Sequence, residues 1–305
     1  MRTALRNTLV LSSVLGAWCF RAHRHLTRRL RTGPSAIRCS DAVRAATDDA
    51  DLGFARKEVG IEDLAGTCTP HDRHLFVLTE VSPSAWPPKW EESEGLPSAL
   101  AKALKSRKGL PIKVKVTAAT LAAGAGDAPG DVLMYPDGVR VRNVTPADAE
   151  ALMDLVTSLP KGGLAADTPL LGAGGLALEP AQARAGGTPA AVFICAHTSR
   201  DKRCGLIGPA LRDIFADELA VAGRQDVPVR MVSHVGGHVY AGNVIVYAQA
   251  QGHWYGYVDP GAAAELVREH IVGGTPLIRW KLWRGEVGLS EEEQKAKCEA
   301  CDKRC

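Results

Sequence analysis

Val132-Leu133-Met134-Tyr135 and Val244-Ile245-Val246-Tyr247 are near-copies within a 305-residue chain, and each sits in the same local setting. The first opens a hairpin, Asp131–Tyr135 and Val139–Val144, through Pro136-Asp137-Gly138, a turn that glycine permits by taking positive φ. Thr145-Pro146 then caps a helix over Ala147–Ser158. The second opens the hairpin Asn243–Tyr247 and His253–Val258, and Asp259-Pro260 starts a helix over Gly261–Ile271. Val144-Thr145-Pro146 therefore parallels Val258-Asp259-Pro260. Upstream the parallel continues. His74–Glu80 reads as a strand, Leu96–Arg107 as an amphipathic helix and Ile112–Thr117 as a strand. Ala191–Cys195, Pro209–Ala222 and Val229–Ser233 repeat that order. The pattern is two copies of one strand-helix-strand-strand-strand-helix unit.

This order predicts an α/β protein of two tandem thioredoxin-like units. The first unit spans 71–160 and the second 188–289. The Gly- and Ala-rich stretch 161–187 reads as a connection too poor in large apolar residues to make a core. Residues 41–70 read as a linker and approach segment, and 290–305 as a charged tail with a short helix and a fraying end. Fold alone does not give function. The copies differ in chemistry, because the second carries Cys and His at its strand ends where the first has Leu78 and Thr117.

The formal charge of +3 is unevenly spread. Residues 1–40 hold eight Arg, no Lys and no acid, leaving 29 basic against 34 acidic residues, a net of −5, for 41–305. A body of that charge gives no reason to expect nucleic acid. The Arg-rich, acid-free start with interspersed Ser and Thr has the composition of an organelle transit peptide, mitochondrial with plastid as the alternative. The apolar run Leu9–Phe20 is too short to cross a ~30 Å hydrocarbon core as a helix, so no stable membrane insertion is expected.

Of eight cysteines, Cys19 and Cys39 fall in the Arg-rich start, leaving Cys68, Cys195, Cys204, Cys298, Cys301 and Cys305. Their uneven spacing does not look like a disulfide framework and favours metal or redox use. Cys195 and Cys204 lie on a polar loop after a strand, and His234-Val235-Gly236-Gly237-His238 follows another. These four donors suit a metal site. The glycines argue against the helical His pair of a zinc protease, whose glutamate is also missing. Gly205, Gly236 and Gly237 would let backbone N–H groups approach sulfur. Zinc and iron–sulfur both accept the set. Eight residues between the cysteines disfavour the short knuckles of a zinc finger, and two pairs on separate loops suit a dinuclear cluster. Arg200 and Asp201 are a solvated pair or orient the ligands. His197 lies two residues after Cys195 as in a Rieske box, but no second box matches it.

The blocks Cys195 to Cys204 with Arg200-Asp201 and Gly205, His234-Val235-Gly236-Gly237-His238, Ala241-Gly242-Asn243, Trp254-Tyr255-Gly256 and Trp283-Arg284-Gly285 resemble the sucrase/ferredoxin-like family over about His74 to Leu289. The likeness is to its bis-histidinyl branch. It implies a thioredoxin-like ferredoxin whose [2Fe–2S] cluster is held by Cys195 and Cys204 on one iron and His234 and His238 on the other. Replacing thiolates by neutral imidazoles would raise the potential, on the scale of Rieske centres at roughly −150 to +300 mV against about −400 mV for plant-type ferredoxins. The expectation is an electron-transfer or redox-sensing protein with an unidentified redox donor or acceptor, an electron carrier rather than an enzyme. A thiol–disulfide oxidoreductase using Cys298/Cys301 or Cys195, and a zinc-stabilised interaction protein, are the alternatives.

Overall fold

His74, Phe76 and Leu78 alternate with Arg73, Leu75 and Val77 along the first strand, and that alternation sorts the interior into two layers. The computed structural model describes residues 63–161, 175–181 and 189–302, all within the unit Arg56–Cys305. The expectations for 1–40 and 41–62 lie outside the described residues. Strands β1 (Arg73–Thr79), β2 (Val114–Thr120), β3 (Val132–Tyr135), β4 (Val139–Arg142) and β5 (Ala177–Pro180) precede β6 (Ala190–Cys195), β7 (Val229–Val232), β8 (Val244–Ala248), β9 (Gln251–Tyr255) and β10 (Trp283–Glu286). All ten join one mixed sheet in the order β10-β9-β8-β6-β7-β2-β1-β3-β4-β5. Helices α1 (Leu96–Ser106), α2 (Ala149–Ser158), α3 (Lys202–Val221), α4 (Pro260–Glu265) and α5 (Glu291–Asp302) accompany it.

The strand order in one half, β2-β1-β3-β4-β5, is the order β7-β6-β8-β9-β10 in the other. In each half the first two strands are parallel and the rest antiparallel. One antiparallel pair, Ala119 with Val232, joins β2 to β7. Strands β1 and β6 are three spacings apart along the sheet, about 14 Å if it were flat. Yet Phe76 stacks on Phe193 at 3.8 Å, and the Tyr135 and Tyr247 rings are 4.5 Å apart. The halves are therefore folded face to face over an aromatic inner layer. Phe76 lies opposite Thr117 on β2, and Phe193 opposite Arg230 on β7. This register matches Cys195 to Leu78 as expected, but matches Thr117 to Arg230 rather than to a ligand. Arg230 and Arg140 both bind the buried Asp127 in that layer.

On the outer face, α1 and α2 cover the first half. Leu100 and Ala103 of α1 and Leu152, Met153 and Val156 of α2 pack with Leu75, Val77, Val132 and Met134. Each large side chain so buried contributes about 1.5–3 kcal/mol. Helix α3 packs on β6 and β7 with Ile207, Leu211, Ile214 and Phe215 buried.

Three expectations are corrected. Helix α3 begins at Lys202, not Pro209, because Asp201 caps it by accepting from the Arg203 N–H and the helix runs on through Pro209. The 161–187 connection contains β5, which pairs with β4 and is tied to it by ion pairs from Arg140 and Arg142 to Glu179. Residues 63–70 are no linker: the Leu64 N–H donates to Trp280 O and the Gly66 and Cys68 N–H groups to Arg284 O. The helix expected in the tail is α5, with Gln294 and Cys298 buried. The helix predicted over Gly261–Ile271 is α4 continued by a π-helical turn, Leu266–Val272. Among the described residues no helix is long and apolar enough to cross a membrane.

Candidate functional site

Parallel strands β6 and β7 end side by side, with Cys195 opposite Val232. Cys195 is the last residue of β6, and Cys204 stands in the first turn of α3 rather than on the expected polar loop. His234 follows β7 by two residues, and His238 opens a short 3-10 turn, His238–Tyr240. Their sequence-local spacing thus brings thiols and imidazoles to neighbouring strand ends. Both sulfurs are buried, His234 is half-buried and His238 is exposed.

The side chains of Cys204 and His234 and the backbone N–H groups of His197 and Val235 all hydrogen-bond to the Cys195 sulfur. These bonds, the one from Cys204 foremost, hold the Cys195 thiol well below its ordinary pKa although burial opposes them. The same contact, with burial, pushes Cys204 up. The His234 and His238 ring centroids are 5.7 Å apart. Among the described residues no three His, Cys, Asp or Glu side chains gather as a single-ion site would require.

Close packing fixes this arrangement. A Cβ on Gly208 would lie 2.5 Å from Cys195 O and 2.7 Å from Ala196 Cβ, and one on Gly205 would lie 2.5 Å from Thr198 Oγ1. Bare glycine surface lets α3 approach the Cys195 loop. Gly237 is left-handed, with φ of 66°, and its open side is filled by the Arg284 guanidinium. Despite partial burial, hydrogen bonds from Arg203 and the nearby His238 hold Asp201 below the usual carboxylate range. Arg200 is exposed.

Three residues without an assigned role in the sequence reading organise the site. His197 Nδ1 accepts from the His234 N–H at 3.0 Å, which leaves Nε2–H to donate to Pro87 O at 2.9 Å. Both ring nitrogens are occupied within the protein, so His197 ties the loops after β6 and β7 to the first half and is not placed as a ligand. Asn243 O accepts from the Cys195 N–H, while its Nδ2 donates to Gly237 O. Arg284 donates to Asn243 Oδ1 at 2.6 Å and to Gly236 O at 3.2 Å. Asn243 and Arg284 belong to sequence blocks already singled out, which was the available signal.

Residues 64–285, more than half of the chain, match the sucrase/ferredoxin-like family, and the chain belongs to it. It is 46% identical over 99 residues to altered inheritance of mitochondria protein 32 of Debaryomyces hansenii, covering 32% of this chain and 35% of that protein. Its counterpart of the same name in Clavispora lusitaniae is 49% identical over 97 residues, 32% and 34% of the two chains. Actin patches distal protein 1 of Saccharomyces cerevisiae is 37% identical over 98 residues, 28% and 31%. These matches span about a third of the relatives' length.

Proposed function

We propose that this chain is an electron-transfer or redox-sensing protein whose Cys195, Cys204, His234 and His238 hold a [2Fe–2S] cluster, and that it is built of two tandem thioredoxin-like units with the cluster in the second. The repeated strand order supports the second part. The observation that carries the first is the pairing of donors: two thiols in hydrogen-bond contact at one strand end and two imidazoles 5.7 Å apart at the next. Bridging sulfides accept N–H groups, and the His197 and Val235 N–H groups already converge on sulfur there. Loaded, such a site would accept and return one electron.

The chain's own residues set the terms. Two thiolates bring two negative charges and two imidazoles bring none, which favours the reduced state over an all-thiolate site. Reduction would raise the proton affinity of coordinating imidazoles in general, and His238 is exposed to solvent. The potential should therefore fall as pH rises, and a flat potential between about pH 6 and about pH 10 would oppose proton coupling. A mitochondrial setting is supported by the Arg-rich start and by relatives named for mitochondrial inheritance.

A thiol–disulfide exchange role draws on the same asymmetric thiol pair, but both sulfurs are at most 2% exposed and closed to a protein disulfide. Anaerobic purification, iron and acid-labile sulfide analysis and electron paramagnetic resonance test the reading. Stoichiometric iron and sulfide, with spectra altered in His234→Cys and His238→Cys, support it. A colourless protein, zinc in place of iron, or iron and sulfide retained after all four donors are replaced would overturn it.

A further inference from the structure

Among the described residues four arginines are fully buried: Arg73, Arg140, Arg230 and Arg284. Arg73 pairs with Asp137, and Arg140 and Arg230 pair with Asp127. Arg284 differs. Its hydrogen-bond partners among the described residues are Thr67 Oγ1, Thr67 O, Gly236 O and Asn243 Oδ1, all neutral. Its flat faces lie 4.9 Å from the Tyr240 ring and 5.7 Å from that of Trp254. A second cation, Lys115, lies 5.7 Å from the same Trp254 ring. Buried charge is retained when an opposite charge compensates it, and no carboxylate does so here.

We propose that Arg284 answers the negative charge the site takes up on reduction, so that this guanidinium positions the Gly236-Gly237 turn between His234 and His238 and raises the site's midpoint potential. The inference rests on the cluster reading above. The connection is direct: Arg284 binds Asn243 Oδ1, and Asn243 O receives the Cys195 N–H. Burial acts to lower the pKa of Arg284, and Cys68, Tyr240, Cys195 and Cys204 act to raise it. Cys68 itself is pushed up to about 12 by burial and stays a neutral thiol, so it supplies no counter-charge. Two thiolates balance two ferric irons and two sulfides, so one-electron reduction leaves a single net negative charge beside the guanidinium. A fixed cation favours that state.

The test is redox titration of the loaded full chain as wild type, R284Q, R284K and N243D. N243D places a carboxylate on the guanidinium, as Asp137 is placed on Arg73, and cancels its field without removing it. The expected result, read on the cluster-bearing fraction of each variant, is a downward shift of the midpoint potential in R284Q and N243D and a smaller shift in R284K. Wild-type potential in both R284Q and N243D, or a shift in R284K as large as in R284Q, overturns the inference while leaving the cluster reading standing. If R284Q fails to fold by circular dichroism, N243D against R284K decides. A wild type that holds neither iron nor sulfide removes the cluster reading and this inference together.

Discussion

Substituting Gly208 by alanine tests whether bare helix surface is what brings the two thiols together. In a solvent-exposed helix the change would stabilise by about 0.5–1 kcal/mol, because glycine loses more backbone entropy on folding. Here the added methyl would stand 2.5 Å from Cys195 O, 2.7 Å from Ala196 Cβ and 2.8 Å from Ala196 Cα. All three lie within van der Waals overlap, and two are backbone atoms that no rotamer change can move. Relief requires α3 to slide away from the β6 end, and overpacking of this kind costs typically about 1–3 kcal/mol, occasionally more. The net is a destabilisation of roughly 1–2 kcal/mol, or a Tm lower by about 2–8 °C for a folded body of this size. Because α3 carries Cys204 in its first turn, the slide also separates Cys204 from Cys195, and iron content should fall with Tm. Differential scanning calorimetry and iron analysis of anaerobically purified Gly208→Ala give the two readings. A variant as stable as wild type, or more so, would refute the close-approach argument.

Two further outcomes follow from buried charge. His71 and His270 are both lowered by burial to about 4 from 6.5, so the unfolded chain binds more protons between those values. Stability is full above about pH 7 and is lost as pH falls from about 6.5 toward 4, by up to about 3 kcal/mol per histidine. Urea midpoints should decline across that window and less steeply in His71→Gln, whereas equal midpoints at about pH 7 and about pH 4.5 would refute the assignment. Asp127→Asn leaves Arg230 and Arg140 buried without their shared carboxylate. The cost is about 3–5 kcal/mol by chemical denaturation, against less than about 0.5 kcal/mol for Asp154→Asn at an exposed ion pair. Equal losses in the two would remove the inner-layer triad as a stabilising element.

What was legible in the sequence is what local chemistry writes there. The hairpin strands recur with the same apolar spelling because they fill equivalent places, and Tyr135 and Tyr247 meet ring to ring. The donors were legible because paired thiols and imidazoles are conspicuous, and their short separations cannot carry them far apart. The start of α3 was not, because Gly205, Gly208 and Pro209 all read as breakers. Two of them are instead the close-packing surface, and the cap that starts the helix is Asp201. Strand β5, Ala177–Pro180, has no apolar period, since backbone pairing and Glu179 hold it rather than a buried face. The Arg284 contacts join residues 41 and 217 positions apart, and no local pattern encodes them.

The first half lacks the donors, with Leu78 in the place of Cys195, yet it takes part in forming the site. The Ala118 N–H donates to Ser233 Oγ, and the Ser233 N–H to Ala118 O, which pins the residue just before His234 to strand β2. From the other side, Pro87 O holds His197 and Trp86 O accepts from Ser199 Oγ at 2.6 Å, which pins the loop between Cys195 and Cys204. Both donor-bearing segments are therefore anchored on a half that supplies none of the four donors. Two short loops that include exposed polar residues would each lose conformational entropy when held in one geometry. Anchoring them on a packed neighbour places that cost in the folding of the chain rather than in the binding of a cofactor. A face-to-face pair of half-sheets joined by a single strand pairing provides that neighbour, and this gives a physical reason for a donor-less half beside one that carries the donors.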